Sequence, residues 1–213
     1  MLIQAKRNSH TFIFIVVVVF LIFGKPSYSR ENDFEQLRQE SSKIKTLQAD
    51  FVQNKSMKIL SKPLVSEGRF YYAAPDSFRW EYFKPLRSIV ITHKNSSKRY
   101  IYSDGKFIED KTGGAQAMRI VLSEVSGWMN GRFDQNPAFK AVLNKKTDTS
   151  ITLTPVDNTM GGMIEKIEIT LYPKGGTVKS VKIYEGADNF TKINFSNVKI
   201  NQAIHASVFQ DIQ

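Results

Sequence analysis

The sequence predicts a mainly β, α+β domain in which about ten or eleven antiparallel strands combine with two helices. From residue 47 onwards, apolar residues recur with a period of two in short segments, which clusters of Gly, Pro, Asn and Ser separate. The connections between these segments are short, and parallel strands need a crossover of about a dozen residues, so antiparallel pairing is favoured. Two other stretches repeat apolar residues at the spacing of a helix.

The first helix is expected just before the strands begin. Its apolar face repeats at spacings of three and four residues and comprises Phe34, Leu37, Ser41, Ile44 and Leu47. Asp33, with Gln36 three residues later, has the spacing of a capping box, so we expect the helix to begin there.

The strands fall into two groups, one on each side of the second helix. We expect them at 47–55, 64–72, 77–83, 87–94, 97–103, 106–109, 138–144, 149–154, 163–172, 177–184 and 190–200. Asp104-Gly105 predicts a tight hairpin within the first group.

The second helix is predicted at 115–129. Its apolar residues have helical spacing and comprise Met118, Val121, Leu122, Val125, Trp128 and Met129. Asn130-Gly131 follows them and is typical of a helix C-terminus.

Several strands alternate strictly, which predicts a sheet with one apolar and one polar face. In 77–83, Phe78 and Trp80 point to one side and Arg79 and Glu81 to the other. About ten twisted strands curl into a barrel or split into a sandwich. Two helices can cover only part of such a face. The residues alone therefore leave two outcomes open: an ordinary closed core, or a cavity lined by aromatic rings.

The N-terminus predicts export. Twelve apolar residues, Phe12–Phe23, follow the basic pair Lys6 and Arg7. A helix of this length rises about 18 Å, too short to cross a bilayer, so the pattern favours a secretory signal over an uncleaved anchor. We expect a signal peptide at 1–29, a single domain at 30–213 and a location outside the cytoplasm.

Charge and composition narrow the classes of partner. The net charge of +10 becomes +7 when Lys6, Arg7 and Lys25 leave with the signal, and the remaining cations are scattered. This argues against nucleic acid and favours a membrane surface or an acidic partner. The chain has no cysteine, so it forms no disulfide and carries no lipid on an N-terminal cysteine.

The sequence offers no pattern typical of catalysis. His93 and His205 lie far apart, and neither has the spacing of a metal-ligand pair. A nucleophile elbow and a phosphate-binding glycine loop are both missing from the sequence. We therefore expect a protein that is not an enzyme, with no catalytic residue, no metal site and no cofactor.

A set of short motifs resembles a known family. The motifs are Phe51-x-Gln53, Gly68-x-Phe70, Pro75-x-x-Phe78-x-Trp80, Asp104-Gly105 and Phe195-x-Asn197-Val198. Their order and spacing, from about Phe34 to Phe209, resemble the periplasmic lipoprotein carriers of the LolA type. The resemblance implies an unclosed, strongly curved antiparallel sheet, a half-barrel, with helices as a lid over a hydrophobic cavity.

The resemblance also implies a function and partners. Carriers of this family take acylated lipoproteins from an inner-membrane lipoprotein-releasing transporter and deliver them to an outer-membrane receptor or membrane. They work in the periplasm of Gram-negative type bacteria, and we expect a monomer. A carrier of another acylated lipid or glycolipid, and a lipid-sensing regulatory protein of the envelope, remain as alternatives.

Combining this likeness with the apolar faces gives a hypothesis for the site. The wall of the acyl-chain cavity would comprise Phe51, Phe70, Phe78, Trp80, Ile167 and Phe195. The underside of the lid would comprise Leu37, Ile44, Val121, Leu122 and Val125. The family commonly has an arginine that holds the lid shut where this chain has Ala74, and Arg69 and Arg79 are the candidate substitutes.

Overall fold

The protein forms one antiparallel sheet of 11 strands, as a computed structural model shows. The structure describes residues 30–94, 96–111, 124–125, 127–145, 147–157, 164–173, 176–186 and 188–212. The strands are β1 (Thr46–Ser56), β2 (Leu64–Ala73), β3 (Ser77–Lys84), β4 (Ser88–His93), β5 (Ser96–Ser103), β6 (Lys106–Glu109), β7 (Phe139–Lys145), β8 (Thr149–Pro155), β9 (Lys166–Leu171), β10 (Val178–Tyr184) and β11 (Phe190–Ile200). The predicted fold class and number of strands are confirmed.

The order of the strands is two meanders joined at the centre of the sheet. It runs β6-β5-β4-β3-β2-β1-β11-β10-β9-β8-β7, and every pair is antiparallel. The first and last strands, β1 and β11, pair with each other, with Phe51 opposite Phe195. The edge strands are β6 and β7, so the sheet is not closed into a barrel.

The first helix, α1, spans Arg30–Ser41, and this corrects two predictions. The helix begins before Asp33, which lies inside it and pairs with Lys145 instead of capping it. The helix also ends before Ile44 and Leu47, which the spacing had placed on its apolar face. The side chain of Asn201 accepts hydrogen bonds from the Lys45 and Thr46 amides, which draws this segment into β1.

The predicted second helix, 115–129, is described only at its C-terminal end. Residues 124, 125 and 127–129 are helical, and residues 112–123 and 126 lie outside the described residues. We call the helical residues 124–125 and 127–129 the second helix. The predicted stop at Asn130-Gly131 is confirmed, because Gly131 has φ of +71° and the Arg132 amide donates to the Gly127 carbonyl.

The sheet curls around its apolar face. Trp80 on β3 and Phe195 on β11 have ring centroids 6.0 Å apart, although β2 and β1 lie between them. Three strand spacings separate the two backbones by about 14 Å in a flat sheet. Gly68 on β2 helps the rings converge: it lies opposite Phe51, whose ring occupies the space of the absent side chain.

The main core lies on this curled face. It joins side chains from β1–β4 and β7–β11 with Phe34 and Leu37 of α1 and with Val125, Trp128 and Met129 of the second helix. The opposite face is not uniformly polar, which departs from the predicted pattern. On that face, Ile89, Ile91 and Tyr100 form a small buried cluster against which Ile212 of the C-terminal segment packs.

The predicted signal peptide, 1–29, lies outside the described residues, and the domain assignment stays a prediction. Within the part of the chain that the structure describes, the helices are too short or too polar to cross a membrane.

We predict that Gly68→Ala destabilises the fold. A Cβ at this position would lie 2.5 Å from Cζ of Phe51 and would also overlap the backbone carbonyl of Glu81. Overpacking of this kind costs about 2 kcal/mol, and urea denaturation measures the loss. Gly127→Ala is the matched control, because its nearest neighbour would be 3.6 Å away. Equal stabilities of the two variants would contradict the role given to Gly68.

Candidate functional site

A cavity of about 310 Å³ lies on the curled face, beneath the second helix. Strands β1, β3, β10 and β11 form its wall, and the second helix covers it. Its lining residues are Gln53, Lys55, Trp80, Tyr82, Val125, Trp128, Met129, Val178, Val181, Ile183, Glu185, Thr191, Ile193 and Phe195. The apolar face is therefore packed over most of its area and hollow at one end.

The structure separates the predicted wall residues into two groups. Trp80 and Phe195 line the cavity. The other four are buried in the adjoining core and do not line it: Phe51, Phe70, Phe78 and Ile167. Phe51 and Phe70 support the wall from the side, because their ring centroids lie 4.6 and 5.2 Å from that of Trp80.

The predicted lid residues are also divided. Val125 lines the cavity, and Leu37 and Ile44 are buried in the main core. Val121 and Leu122 lie outside the described residues.

Sequence reasoning missed half of the wall. Val178, Val181 and Ile183 of β10 and Ile193 of β11 line the cavity opposite the aromatic residues. The signal was present, because Val181 and Ile183 alternate with lysine and serine residues along 177–184. Aromatic residues drew the prediction towards the N-terminal strands, and nothing local indicates that β10 faces β3.

One end of the cavity is polar. The Tyr82 hydroxyl donates a hydrogen bond of 2.9 Å to Oε1 of Gln53. Lys55 Nζ lies 3.0 Å from Oε2 of Glu185, and Thr191 Oγ1 donates to Oε1 of the same carboxylate over 2.9 Å. We call these five residues the polar end.

Burial affects two neighbouring polar groups here, the hydroxyl of Tyr82 and the indole N–H of Trp80. Burial raises the pKa of Tyr82, and the neighbouring Trp80 indole and the positive charge of Arg99 oppose that rise. The Trp80 indole N–H is itself buried and finds no acceptor with hydrogen-bond geometry among the described residues. A buried donor without an acceptor is costly, so this nitrogen is a position where an oxygen atom would be stabilised.

Hydrogen bonds join the turn after the second helix to the sheet and to α1. The Tyr72 hydroxyl on β2 donates to Oδ1 of Asn130 over 2.8 Å, and Arg38 of α1 pairs with Asp134 at 2.8 Å. Glu124 at the start of the described helix accepts from Nδ2 of Asn136 over 2.7 Å. The part of the second helix that covers the cavity is thus held at its C-terminal end.

The two candidate substitutes for the lid arginine pair with carboxylates of the sheet and not with the described residues of α1 or the second helix. Arg69 pairs with Asp50 at 2.7 Å, and Arg79 pairs with Glu81 at 2.9 Å. Both arginines alternate with core residues and therefore lie on the opposite face of the sheet from the cavity. The bond between Tyr72 and Asn130 is instead a hydrogen bond between this part of the sheet and the turn after the second helix.

The chemistry available in the cavity is that of binding. Among the described residues, no cluster of His, Asp and Glu side chains has the arrangement to hold a metal ion. The lining combines an aromatic wall, an aliphatic wall and one polar end, which suits a long apolar group attached to a small polar one.

Comparison with known proteins decides the family. Residues 42–211 match the family described as "Outer membrane lipoprotein carrier protein LolA". This protein belongs to the LolA family. The matched range contains every strand of the sheet.

Members of the LolA family and proteins of related fold are similar over most of the chain. An outer-membrane lipoprotein carrier protein of Methylococcus capsulatus is 31% identical over 200 residues, which cover 93% of this chain and 92% of that protein. An uncharacterized conserved protein from Thermus thermophilus superposes with a TM-score of 0.55 at 8% identity, covering 87% of this chain and 96% of that one. A chain of the Pseudomonas aeruginosa MucA/MucB complex superposes with a TM-score of 0.52 at 13% identity; 86% of this chain is covered, but it spans only 61% of the other. These two structural likenesses show a shared fold.

We predict that Tyr72→Phe loosens the second helix. The substitution removes the 2.8 Å bond to Asn130 and should lower the free energy of unfolding by about 1 kcal/mol. Hydrogen exchange should also quicken at the amides of 127–133. Tyr184→Phe is the matched control, because its hydroxyl donates to Glu168 over the same 2.8 Å distance on the other face of the sheet. Unchanged exchange at 127–133 in Tyr72→Phe would contradict the prediction.

We predict that Glu124→Gln raises the free energy of unfolding by an amount that depends on pH. Burial raises the pKa of the Glu124 carboxyl, and the bond from Asn136 only partly opposes this rise. Folding therefore disfavours the charged form: the cost is absent well below the ordinary pKa of 4.5 and complete above the raised pKa. The variant keeps the acceptor oxygen, so it should be more stable than the natural protein at neutral pH and equally stable at about pH 3. Denaturation at both pH values tests this, and a gain that does not depend on pH would refute the assignment.

Proposed function

We propose that this protein is a periplasmic carrier that binds the acyl chains of lipoproteins in its cavity and moves them from the inner to the outer membrane. The observation that carries the proposal is the cavity of about 310 Å³ with two apolar walls, in a chain of the LolA family. The outer-membrane lipoprotein carrier protein of Methylococcus capsulatus, at 31% identity, supports the same role.

The apolar walls match the energetic demand of such a cargo. Moving an acyl chain of about 14 to 16 carbons out of water is worth on the order of 10 kcal/mol, at about 0.8 kcal/mol for each methylene. The apolar surface for this transfer is provided by Trp80, Phe195, Val181 and Ile193. Binding therefore needs no nucleotide or cofactor, and we propose that the protein is not an enzyme.

The size of the cavity bears on how cargo enters. A volume of about 310 Å³ is at the low end of ligand pockets, which span about 300 to 1,000 Å³. A cargo with several acyl chains would need more space, and the second helix is the element whose displacement would provide it. The proposed cycle is opening for loading, closure during transit and opening again at a receptor that binds the chains better.

The route and partners extend the proposal. The predicted signal peptide would bring the protein to the periplasm. An inner-membrane lipoprotein-releasing transporter would load it, and an outer-membrane receptor or the membrane itself would unload it. We propose that it travels as a monomer.

Placing a charge in the cavity tests the proposal. Ile193→Glu puts a carboxylate against the aliphatic wall, and it should abolish binding of a fluorescent acyl probe because the ionised group would be desolvated by the ligand. Asn194→Glu is the matched control: it introduces a carboxylate at the next residue of β11, on the exposed side. It should bind the probe like the natural protein.

Two further measurements make the test decisive. Circular dichroism should show that both variants are folded, and the natural protein should extract a triacylated lipopeptide from vesicles. Equal probe binding by Ile193→Glu and Asn194→Glu would refute the cavity as the binding site. Absence of extraction by the natural protein would refute lipoproteins as the cargo.

A further inference from the structure

The polarity of the lining residues changes in steps along the cavity. The subsite inferred below from this change rests on the function proposed above. The strand register places Phe195 beside Phe51, then Ile193 beside Gln53, then Thr191 beside Lys55. Each step of two residues along β1 and β11 moves towards the turn that joins β10 to β11. The lining is therefore aromatic at one end and polar at the other, so an acyl ligand has a preferred direction in it.

The polar end has charged groups but no net charge. Lys55 and Glu185 are the two charged side chains among the described residues that line the cavity, and they pair at 3.0 Å. They are partly shielded, with 37% and 26% of the side chains exposed. Both oxygens of Glu185 are engaged, one by Lys55 and the other by Thr191. Lys55 and Glu185 are 130 positions apart in the chain, so this is a tertiary arrangement.

A second observation points to a ligand oxygen. The Trp80 side chain lines the cavity and is buried, and its N–H has no acceptor with hydrogen-bond geometry among the described residues. The adjacent Tyr82 hydroxyl gives its hydrogen to Gln53, and its oxygen, which can still accept, lies outside hydrogen-bond geometry with this N–H. A carbonyl oxygen in the cavity would accept from this N–H, whereas a purely hydrocarbon ligand would leave it unsatisfied.

We propose that the polar end, together with the Trp80 N–H, is a subsite for a neutral, carbonyl-bearing connector at the head of the acyl chain, such as a glycerol ester or an amide. A carbonyl oxygen accepts from Trp80 or Lys55, and a hydroxyl or amide N–H of the connector donates to Glu185. The subsite discriminates against the carboxylate of a free fatty acid. Such a group only accepts hydrogen bonds and would stand beside the Glu185 carboxylate, while Lys55 is already neutralised.

The discrimination gives the carrier selectivity that an apolar cavity lacks. Apolar walls respond to the length and bulk of a chain, and free fatty acids have the same chains as lipoproteins. Exclusion of a charged head group from the polar end would keep the cavity available for esterified or amide-linked chains. The ion pair acts by repelling the wrong ligand as well as by binding the right one.

The experiment compares 1-monopalmitoylglycerol with palmitate on the protein purified from periplasmic extracts. Each lipid is tested for its ability to displace a bound fluorescent acyl probe at neutral pH, at concentrations below those at which it forms micelles. We expect monopalmitoylglycerol to bind about tenfold more tightly than palmitate. In Glu185→Gln, Lys55 loses its counter-charge, so palmitate should bind about tenfold more tightly than before and monopalmitoylglycerol should change little.

A matched control separates the subsite from general charge effects. Glu168→Gln removes another carboxylate that is bound by a lysine and a hydroxyl, Lys166 at 2.7 Å and Tyr184 at 2.8 Å, on the opposite face of the sheet. It changes the net charge equally and should leave the preference for monopalmitoylglycerol unchanged.

The outcomes distinguish this inference from the proposed function. If the natural protein binds both ligands equally, or if Glu185→Gln and Glu168→Gln have the same effect, the subsite is refuted and the carrier function stands. If the natural protein binds neither ligand and no acyl probe, the carrier function fails and the subsite with it. A loss of the preference for monopalmitoylglycerol only in Glu185→Gln supports the proposal.

Discussion

The pairing of the first strand with the last is the interaction on which the site depends. Strands β1 and β11 meet along their length, with Phe51 opposite Phe195. This contact joins the N-terminal meander, which supplies Trp80, to the C-terminal meander, which supplies Val181 and Ile183. Without it, each half would be a smaller sheet with an exposed apolar face. The cavity exists because the two apolar faces are continuous and curl towards each other.

The packing around Gly68 shows how an aromatic core can be dense and still leave a cavity. The Phe51 ring lies over Gly68, and its centroid is 4.6 Å from that of Trp80. The tightly packed rings give the wall a fixed shape, so the wall does not collapse into the cavity and its apolar surface stays available to a ligand. The hollow lies where the lining changes from aromatic rings to β10 side chains and the second helix. The fold thus combines a rigid wall with a helical cover, and a hydrogen bond from Tyr72 joins the turn after the described part of that cover to the sheet.

The attachment of that cover differs from the pattern that the LolA resemblance implies. The resemblance implies that Ala74 occupies the position of the family's lid arginine, while Arg69 and Arg79 make ion pairs on the other face of the sheet. Among the described residues, a neutral hydrogen bond from Tyr72 to Asn130 joins the sheet to the turn after the second helix, and Arg38 of α1 pairs with Asp134 of the same turn. A neutral bond of this kind contributes about 1 kcal/mol, less than a charge-assisted one.

The strands, their turns, the apolar side of several strands and the family can be read from the sequence, because period, turn residues and short motifs are local properties. The sequence-based prediction misplaced the cap at Asp33 and extended the first helix to Ile44 and Leu47, because helical spacing does not reveal that Asn201 binds the backbone at residues 45 and 46. Tertiary contacts set which strands are neighbours, which aromatic residues line the cavity and which support it, and they bring Lys55 to Glu185. These are contacts between distant parts of the chain, and a local pattern specifies which face a residue takes but not its partner across that face.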